Sequence, residues 1–317
     1  MVTQIPQMPK TAVASLGPPA ASAGPSSSRR YGLAAVLIIG PNLILFTIFV
    51  VVPVVAGLLL SFTTWDITNG LPKWVGLANY RRMYSDPLVW TSVKTTLKFI
   101  VVGVVPTVFI SLGLAMLINF RFRLVGVVRS LYLIPAAMSF AASAVVWRFL
   151  FLDGPGYGVI NYLISLFGVT PPDWLGSPTW ALYALDIVTI WLSLPIATIL
   201  YLAALQRIPD AVIEAAMLDG AGPWRRVRFI IWPGVRYMTL LVAVISLLAF
   251  TNGSFDLVNI LTKGGPLYAT QTLIYYIFVN GFSYGAFGYA SALSVLLIAL
   301  IGGILLVLRL LSKVTLR

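Results

Sequence analysis

Residues 205–233 read LQRIPDAVIEAAMLDGAGPWRRVRFIIWP and form the only long polar run between two strongly apolar segments. Pro209 stands where a first-turn proline is tolerated, because its missing N–H would have no helical partner there. Asp210 follows and places a negative charge at the positive end of a helix dipole. Gly220 accepts the left-handed conformation of a helix stop, so the pattern predicts a first helix that ends at Asp219-Gly220.

A second helix is predicted directly after this stop. Pro223 can occupy its first turn, and the helix then carries Trp224 and three arginines. Pro233 is expected to break or bend the chain before the next apolar run. A short helix, a glycine hinge and a second amphipathic helix between two membrane spans are typical of a docking site for a partner protein.

Composition places the chain in a membrane. Of its 317 residues, 59% are hydrophobic and 9% are charged, whereas about 25% of residues are charged in a typical soluble domain. We therefore predict an all-α, polytopic membrane protein. The chain has no histidine and no cysteine, which removes the commonest general base and metal ligands. It also lacks a glycine-lysine-serine phosphate loop. No catalytic residue, metal site or cofactor is predicted, and we expect no enzyme activity in this chain.

Apolar segments of at least about 20 residues predict six membrane spans. These are residues 31–61, 91–119, 131–152, 178–205, 237–261 and 288–311. Residues 206–235 form the loop after the fourth span. Residues 1–30 are rich in Pro, Ala, Ser and Gly and are expected to be a disordered cytoplasmic tail. Residues 31–317 are then the transmembrane domain.

The basic residues predict the orientation of these spans. One set of loops holds only four: Lys73, Arg81, Arg82 and Lys263. The opposite set holds many more, at Arg29, Arg30, Arg121, Arg123, Arg129, Arg207, Arg225, Arg226, Arg228, Arg236, Lys313 and Arg317. Both termini and the polar loop are therefore expected on the cytoplasmic side of a plasma or inner membrane. This placement also accounts for the net charge of +12 without a nucleic-acid partner.

The polar loop resembles the EAA motif of permease subunits of ATP-binding-cassette (ABC) importers. That motif reads EAA, three residues, G, nine residues, I, one residue, LP, and this chain departs from it at Trp232. The resemblance implies that the loop seats in a cleft of the ATPase subunit. The residues implied in that contact are Glu214, Ala215, Ala216, Asp219, Gly220, Ile230 and Pro233.

Other stretches extend the resemblance from about residue 31 to the end. The chain has VGLANY at residues 75–80, FD at 255–256, LTKGGP at 261–266 and GYASA at 288–292, and each is similar to a stretch of sugar-type permeases. This implies the carbohydrate-uptake branch, in the class of maltose and glycerol-3-phosphate permeases, with the six-helix type I fold and a cytoplasmic coupling helix. It also implies three partners: a second permease subunit, a dimeric ATPase and an extracytoplasmic solute-binding protein.

Polar residues in the membrane spans indicate a solute path, since they usually face a bundle interior or a water-filled cavity. The candidates are Trp191, Ser193, Asn252, Ser254, Asp256 and Asn259. Hydrogen bonding between helices is the alternative role for the small polar ones. Asp186 has no evident partner, and Arg148 is one candidate.

An ion-coupled secondary transporter of a small polar solute is the alternative function. It would use intramembrane carboxylates such as Asp186 and Asp256 and often shows inverted repeats, but no repeat is recognisable here. A membrane-embedded enzyme would need a nucleophile, a base or a metal cluster, which this composition disfavours.

Overall fold

Long apolar helices dominate the fold. The computed structural model describes residues 39–66, 70–119, 125–152 and 158–315, so the tail predicted at residues 1–30 lies outside it. Within these ranges, five helices are long and apolar enough to cross a membrane. They are α1 (Ile39–Leu60), α3 (Pro87–Asn119), α7 (Ala181–Leu205), α9 (Pro223–Thr262) and α11 (Phe287–Thr315).

Shorter elements connect these helices. The helical ones are α2 (Ala78–Ser85), α4 (Val125–Leu133), α5 (Phe140–Leu150), α6 (Val159–Leu166), α8 (Asp210–Leu218) and α10 (Leu273–Ser283). A two-stranded antiparallel hairpin pairs β1 (Thr63–Thr64) with β2 (Lys73–Trp74). The chain divides into two compact units, with the boundary between Ala56 and Gly57. All contacts described below lie in the second unit, Gly57–Arg317.

The helices α3, α7 and α9 pack together and build the core of this unit. Phe99, Leu185 and Phe250, one from each helix, are at most 1% exposed. The Phe250 ring lies so close to Gly103 of α3 that an added Cβ there would collide with it. Close packing of this kind, rather than removal of apolar surface from water, holds membrane helices together.

The structure divides the third predicted span, residues 131–152. Helix α4 ends at Leu133, a short 3₁₀ turn covers Ile134–Ala137, and α5 begins after Ser139. Proline lacks the N–H of a regular helix, and the Pro135 ring favours a new turn. The Ser139 hydroxyl accepts a hydrogen bond from the Ala142 N–H at 3.2 Å and so caps α5.

Of the break or bend expected at Pro233, the break is not observed. Helix α9 continues through it, from Pro223 to Thr262, with a π-helical turn at Val227–Ile231 immediately before the proline. A π turn widens the hydrogen-bond ladder locally. This is where a residue without an N–H can be accommodated in a membrane helix.

The VGLANY stretch fastens the β1–β2 hairpin to α2. The Asn79 side-chain amide donates to the carbonyl oxygens of Ser61 and Thr63, both at 2.8 Å. The Tyr80 hydroxyl lies 2.7 Å from the Ser61 hydroxyl. These groups are buried or half-buried, so their hydrogen bonds replace lost water contacts and fix the loop. This motif has a structural role here.

Candidate functional site

Helix α8 projects its apolar side chains outward. None of its residues is buried, and Leu218 is 90% exposed. Val212 and Met217 are also exposed, as is Glu214 between them along the helix. Of the remaining motif residues, Ala215, Asp219 and Pro233 are exposed, whereas Ala216 and Ile230 are half-buried. An amphipathic helix with its apolar groups in solvent has the features of a protein-docking element.

The turn after α8 has the geometry that the sequence predicts. Gly220 adopts a φ of +76°, a conformation that glycine reaches without steric cost. The backbone N–H of Ala221 donates to the carbonyl of Ala216 at 2.8 Å, and the Gly220 N–H donates to Met217 at 3.1 Å. These bonds satisfy the last carbonyls of α8 and set the angle at which the chain enters α9.

Trp232, the departure from the motif, has a packing role. Its ring stacks on Phe109 of α3, with 6.3 Å between the centroids and 8° between the planes. The Ile208 side chain packs against Gly234 in the next turn. Both contacts attach the base of the helix-turn-helix to the membrane helices. The substitution of Leu by Trp therefore keeps an apolar anchor at this position.

The polar candidates of α9 divide into two groups. Asn252, Asp256 and Asn259 recur at intervals of four and three and so share one face of the helix. Asn252 is exposed, and the other two are half-buried. Ser254 is 3% exposed, and its hydroxyl donates to the Thr251 carbonyl at 2.9 Å. Only Asn252, Asp256 and Asn259 direct side-chain polar atoms away from their own helix.

The candidates of α7 lie elsewhere. Trp191 is half-buried, and its ring meets Trp147 edge-on with 5.6 Å between the centroids. The Ser193 hydroxyl donates to the Thr189 carbonyl at 2.8 Å. Ser193 also lines a cavity of about 180 Å³, together with Phe140 and eleven other residues of the 3₁₀ turn, α7 and α9. None of the α9 candidates lines this cavity, so the structure does not bring the six together.

Two contacts near these residues were not expected from the sequence. Phe140 packs on Gly253 so closely that a Cβ on the glycine would collide with its ring. This contact joins α5 to the polar part of α9, and only the glycine could have indicated it. Asp186 is buried, and a basic side chain near it is Lys98 of α3, whose ammonium lies over the ring of Tyr183, one turn from Asp186.

A cluster around Asp86 joins the corner between α2 and α3 to α10 and α11. The carboxylate accepts hydrogen bonds from the hydroxyls of Tyr276 at 2.6 Å and Tyr289 at 2.8 Å. The Arg82 guanidinium lies 4.1 Å from the centroid of the Tyr289 ring. Burial by itself raises the pKa of Asp86, but the two tyrosines, the Leu88 N–H and the Arg82 charge together hold it below its ordinary value.

No group of three His, Cys, Asp or Glu side chains suited to a metal ion occurs among the described residues. The candidate site consists of the exposed helix α8 with its glycine turn and of polar residues on membrane helices. Such an arrangement supports transmission of movement and passage of a solute.

Comparison with known proteins relates this arrangement to a family. The family described as "Binding-protein-dependent transport system inner membrane component" matches residues 108–313, which include α8 and both flanking spans. The sulfoquinovosyl glycerol transport system permease protein of Agrobacterium fabrum is 36% identical, over 84% of this chain and 86% of its own length.

Other relatives are similar to the same extent. The trehalose/maltose transport system permease protein of Thermococcus litoralis is 35% identical, over 84% of this chain and 88% of its own. The sn-glycerol-3-phosphate transport system permease protein of Escherichia coli O157:H7 is 33% identical, over 84% of this chain and 89% of its own.

The fold also has solved counterparts. A chain of a bacterial ABC transporter involved in the import of the acidic polysaccharide alginate superposes with a TM-score of 0.75 at 23% identity. The match covers 91% of this chain and 97% of that one. The family match spans well over half of the sequence, and the relatives match nearly full length. The chain therefore belongs to the family of binding-protein-dependent transport system inner membrane components, and it is a permease subunit of an ABC importer.

Proposed function

We propose that this permease carries a sugar, or a related polyol or glycerol-phosphate solute, that an extracytoplasmic solute-binding protein delivers. Relatives named for sulfoquinovosyl glycerol, for trehalose and maltose, and for sn-glycerol-3-phosphate support this class of solute. All of these molecules carry several hydroxyl groups on a glycosyl or glycerol unit. One structural neighbour is a bacterial alginate ABC transporter in complex with an alginate pentasaccharide-bound periplasmic protein. That complex supports the proposed delivery.

We also propose that α8 docks on a dimeric ATPase and that a second permease subunit completes the path. The outward-facing apolar surface of α8 is the observation that carries this proposal. Leu218 in particular is 90% exposed on a helix that has no buried residue. An exposed apolar patch of this kind is explained by a partner, and the EAA spacing of Glu214, Ala215 and Ala216 identifies the partner by resemblance.

Dependence on ATP tests the transport mechanism. The full chain would be produced with the second permease, ATPase and binding protein encoded beside it, in cells without their own uptake of the tested sugars. Labelled maltose, trehalose and glycerol 3-phosphate are suitable probes. We expect uptake of one of these solutes that stops when the ATPase is omitted and persists when ion gradients are dissipated. Uptake without the ATPase, driven by an ion gradient, would instead establish a secondary transporter.

Charge reversal on α8 tests the docking surface. Glu214→Lys places a positive charge on an exposed site where the motif has an acid. We expect at least a tenfold loss of uptake, with ATPase that no longer co-purifies or no longer responds to loaded binding protein. Arg148→Gln is the control, because Arg148 lies on α5 and is also exposed. Equal uptake and co-purification in wild type and Glu214→Lys would remove α8 from the interface.

The exposed face of α9 supports Asn252, Asp256 and Asn259 as solute contacts. We expect Asn252→Leu to lower uptake several-fold while the complex still assembles, because a polar solute would lose a hydrogen-bond partner. Ser254→Ala is the matched comparison. Its hydroxyl already bonds to the Thr251 carbonyl, so the same loss of uptake in Ser254→Ala would extend the path to the buried face. Wild-type uptake in Asn252→Leu would exclude that residue from the path.

A further inference from the structure

Asp186 is a buried carboxylate without a hydrogen-bond partner. It lies on α7 and is 2% exposed, and neither carboxylate oxygen has a partner among the described residues. Removing an ionised carboxylate from water costs several kcal/mol unless a counter-charge or hydrogen bonds replace the water. A membrane span offers no water on its lipid side, so this cost persists there. The side chain is therefore stable as a carboxylate only beside a counter-charge, and without one it takes up a proton.

Lys98 is a nearby basic side chain in an equally unfavourable place. It lies eleven residues after the start of α3, about 16 Å along the helix axis. Its side chain is exposed, and its ammonium lies over the Tyr183 ring, 4.8 Å from the centroid. A charged group this far inside an apolar span is costly unless it is paired. A cation–π contact offsets only part of that cost.

The positions of these groups make them neighbours across the α3–α7 contact. Tyr183 and Asp186 are three residues apart on α7 and so lie on the same side of the helix, one turn from each other. The Lys98 ammonium already contacts the Tyr183 ring, one turn from Asp186, across this contact between the two helices. The lysine stem has four rotatable bonds, so its ammonium can move by one helical turn without movement of the backbone.

We propose that in the bilayer Lys98 leaves the Tyr183 ring and forms an ion pair with Asp186, which fixes α3 against the outer half of α7. One movement then gives the buried carboxylate a counter-charge and takes the ammonium off the exposed surface of α3. Helix α7 leads directly into α8 through Gln206–Pro209. The pair therefore holds the membrane helix that carries the docking element, whatever the transported solute is.

A double-mutant cycle on the full chain in lipid nanodiscs tests the pair. Thermal unfolding would be followed by tryptophan fluorescence in wild type, Lys98→Met, Asp186→Asn and the double variant. We expect each single variant to lower the melting temperature by about 4 °C, and the double variant to lose no more than the worse single one. Additive losses, or no loss in either single variant, would overturn the proposal.

Lys94→Met provides the matched control for this cycle. Lys94 is exposed and lies one turn before Lys98 on the same stripe of α3. We expect it to combine additively with Asp186→Asn. Non-additivity of the same size between Lys94→Met and Asp186→Asn would show that the effect is not specific to Lys98. That result would contradict the proposal.

Infrared difference spectra give a second readout that a packing defect would not reproduce. Subtracting the Asp186→Asn spectrum isolates the band of this carboxyl group. We expect an ionised carboxylate band in wild type and a protonated carboxyl band in Lys98→Met, because the buried acid takes up a proton when its counter-charge is removed. A protonated band in wild type would refute the pair. If a single variant fails to insert, the charge-swapped pair Lys98→Asp with Asp186→Lys should insert better than Asp186→Lys alone, and equal failure would also refute it.

Discussion

Gly288 shows how one residue can fix the meeting of two elements. It lies at the start of α11, where its N–H donates to the Trp65 carbonyl at 3.2 Å. An added Cβ would collide with the backbone carbonyl oxygen of Thr63 in the β1–β2 hairpin. Because that oxygen belongs to the backbone, no side-chain rotation can make room. The first residue of the GYASA stretch is therefore a glycine because the two backbone segments approach each other closely there.

We predict that Gly288→Ala destabilises the chain by about 1–3 kcal/mol, the usual cost of overpacking. Thermal unfolding in nanodiscs measures the effect. Gly302→Ala in the same helix is the control, since no heavy atom lies within 4 Å of a Cβ added there. We expect that variant to be neutral or slightly more stable, because alanine favours helix more than glycine does. Equal melting temperatures for Gly288→Ala and wild type would contradict the close approach.

Gly220→Val is predicted to uncouple transport from ATP hydrolysis. A β-branched residue at a φ of +76° costs roughly 1–2 kcal/mol or more and changes the angle between α8 and α9. We expect normal insertion but loss of the stimulation of ATPase activity by loaded binding protein. Gly222→Ala is the control, because Gly222 has a φ of −63° and open space around it. Full stimulation in Gly220→Val would show that the turn does not transmit movement.

At the scale of elements, the Asp86 cluster joins the α2–α3 corner to α10 and α11. Tyr276 and Tyr289 reach Asp86 from positions 190 and 203 residues further along the chain. Leu273 adds a bond from its backbone N–H to the Thr96 hydroxyl of α3 at 2.8 Å. These contacts add directed hydrogen bonds to the packing between the helices. The relative positions of the ends are therefore sensitive to one carboxylate.

The protonation of Asp86 predicts how stability depends on pH. Its pKa in the folded chain lies below the ordinary value of 3.8, so its ionised form is favoured by folding. This contribution is fully present above the ordinary value and is lost as the pH falls through the lower folded value. We expect the melting temperature to fall as the pH drops through and below the ordinary value of 3.8, more steeply in wild type than in Asp86→Asn.

Tyr276→Phe sharpens this prediction. Removing one of the hydroxyls that lower the pKa of Asp86 brings that pKa nearer its ordinary value. The acid-sensitive contribution should then be intermediate between those of wild type and Asp86→Asn. If all three proteins lost stability in parallel on acidification, other carboxylates would be responsible, and the role given to Asp86 would be incorrect.

At the scale of the whole molecule, the distribution of charge predicts the orientation in the membrane. Arg225, Arg226 and Arg228 follow α8, whereas the described loop between α6 and α7 contains Pro172 and no basic residue. Positive loops remain in the cytoplasm. A reporter fused after Arg226 is therefore expected to be cytoplasmic, and one fused near Pro172 is expected outside. The reverse pattern would invert the orientation and place α8 away from any cytoplasmic ATPase.

The sequence by itself determined the features that depend on nearby residues. Hydropathy located the long helices α3, α7, α9 and α11, because a span must be apolar along its whole length. Pro209, Asp210 and Gly220 determined where α8 begins and ends, since these residues act on their own backbone. The spacing of the EAA motif indicated the family, and the comparisons confirm that family.

Tertiary structure decided what depends on residues far apart in the chain. The division at Ile134–Ala137, the passage of α9 through Pro233 and the contact of Phe140 with Gly253 each depend on neighbouring helices. The bonds from Tyr276 and Tyr289 to Asp86 are of the same kind. Such contacts leave no periodic pattern in a sequence, because their energy arises only when packing brings the partners within a few ångströms.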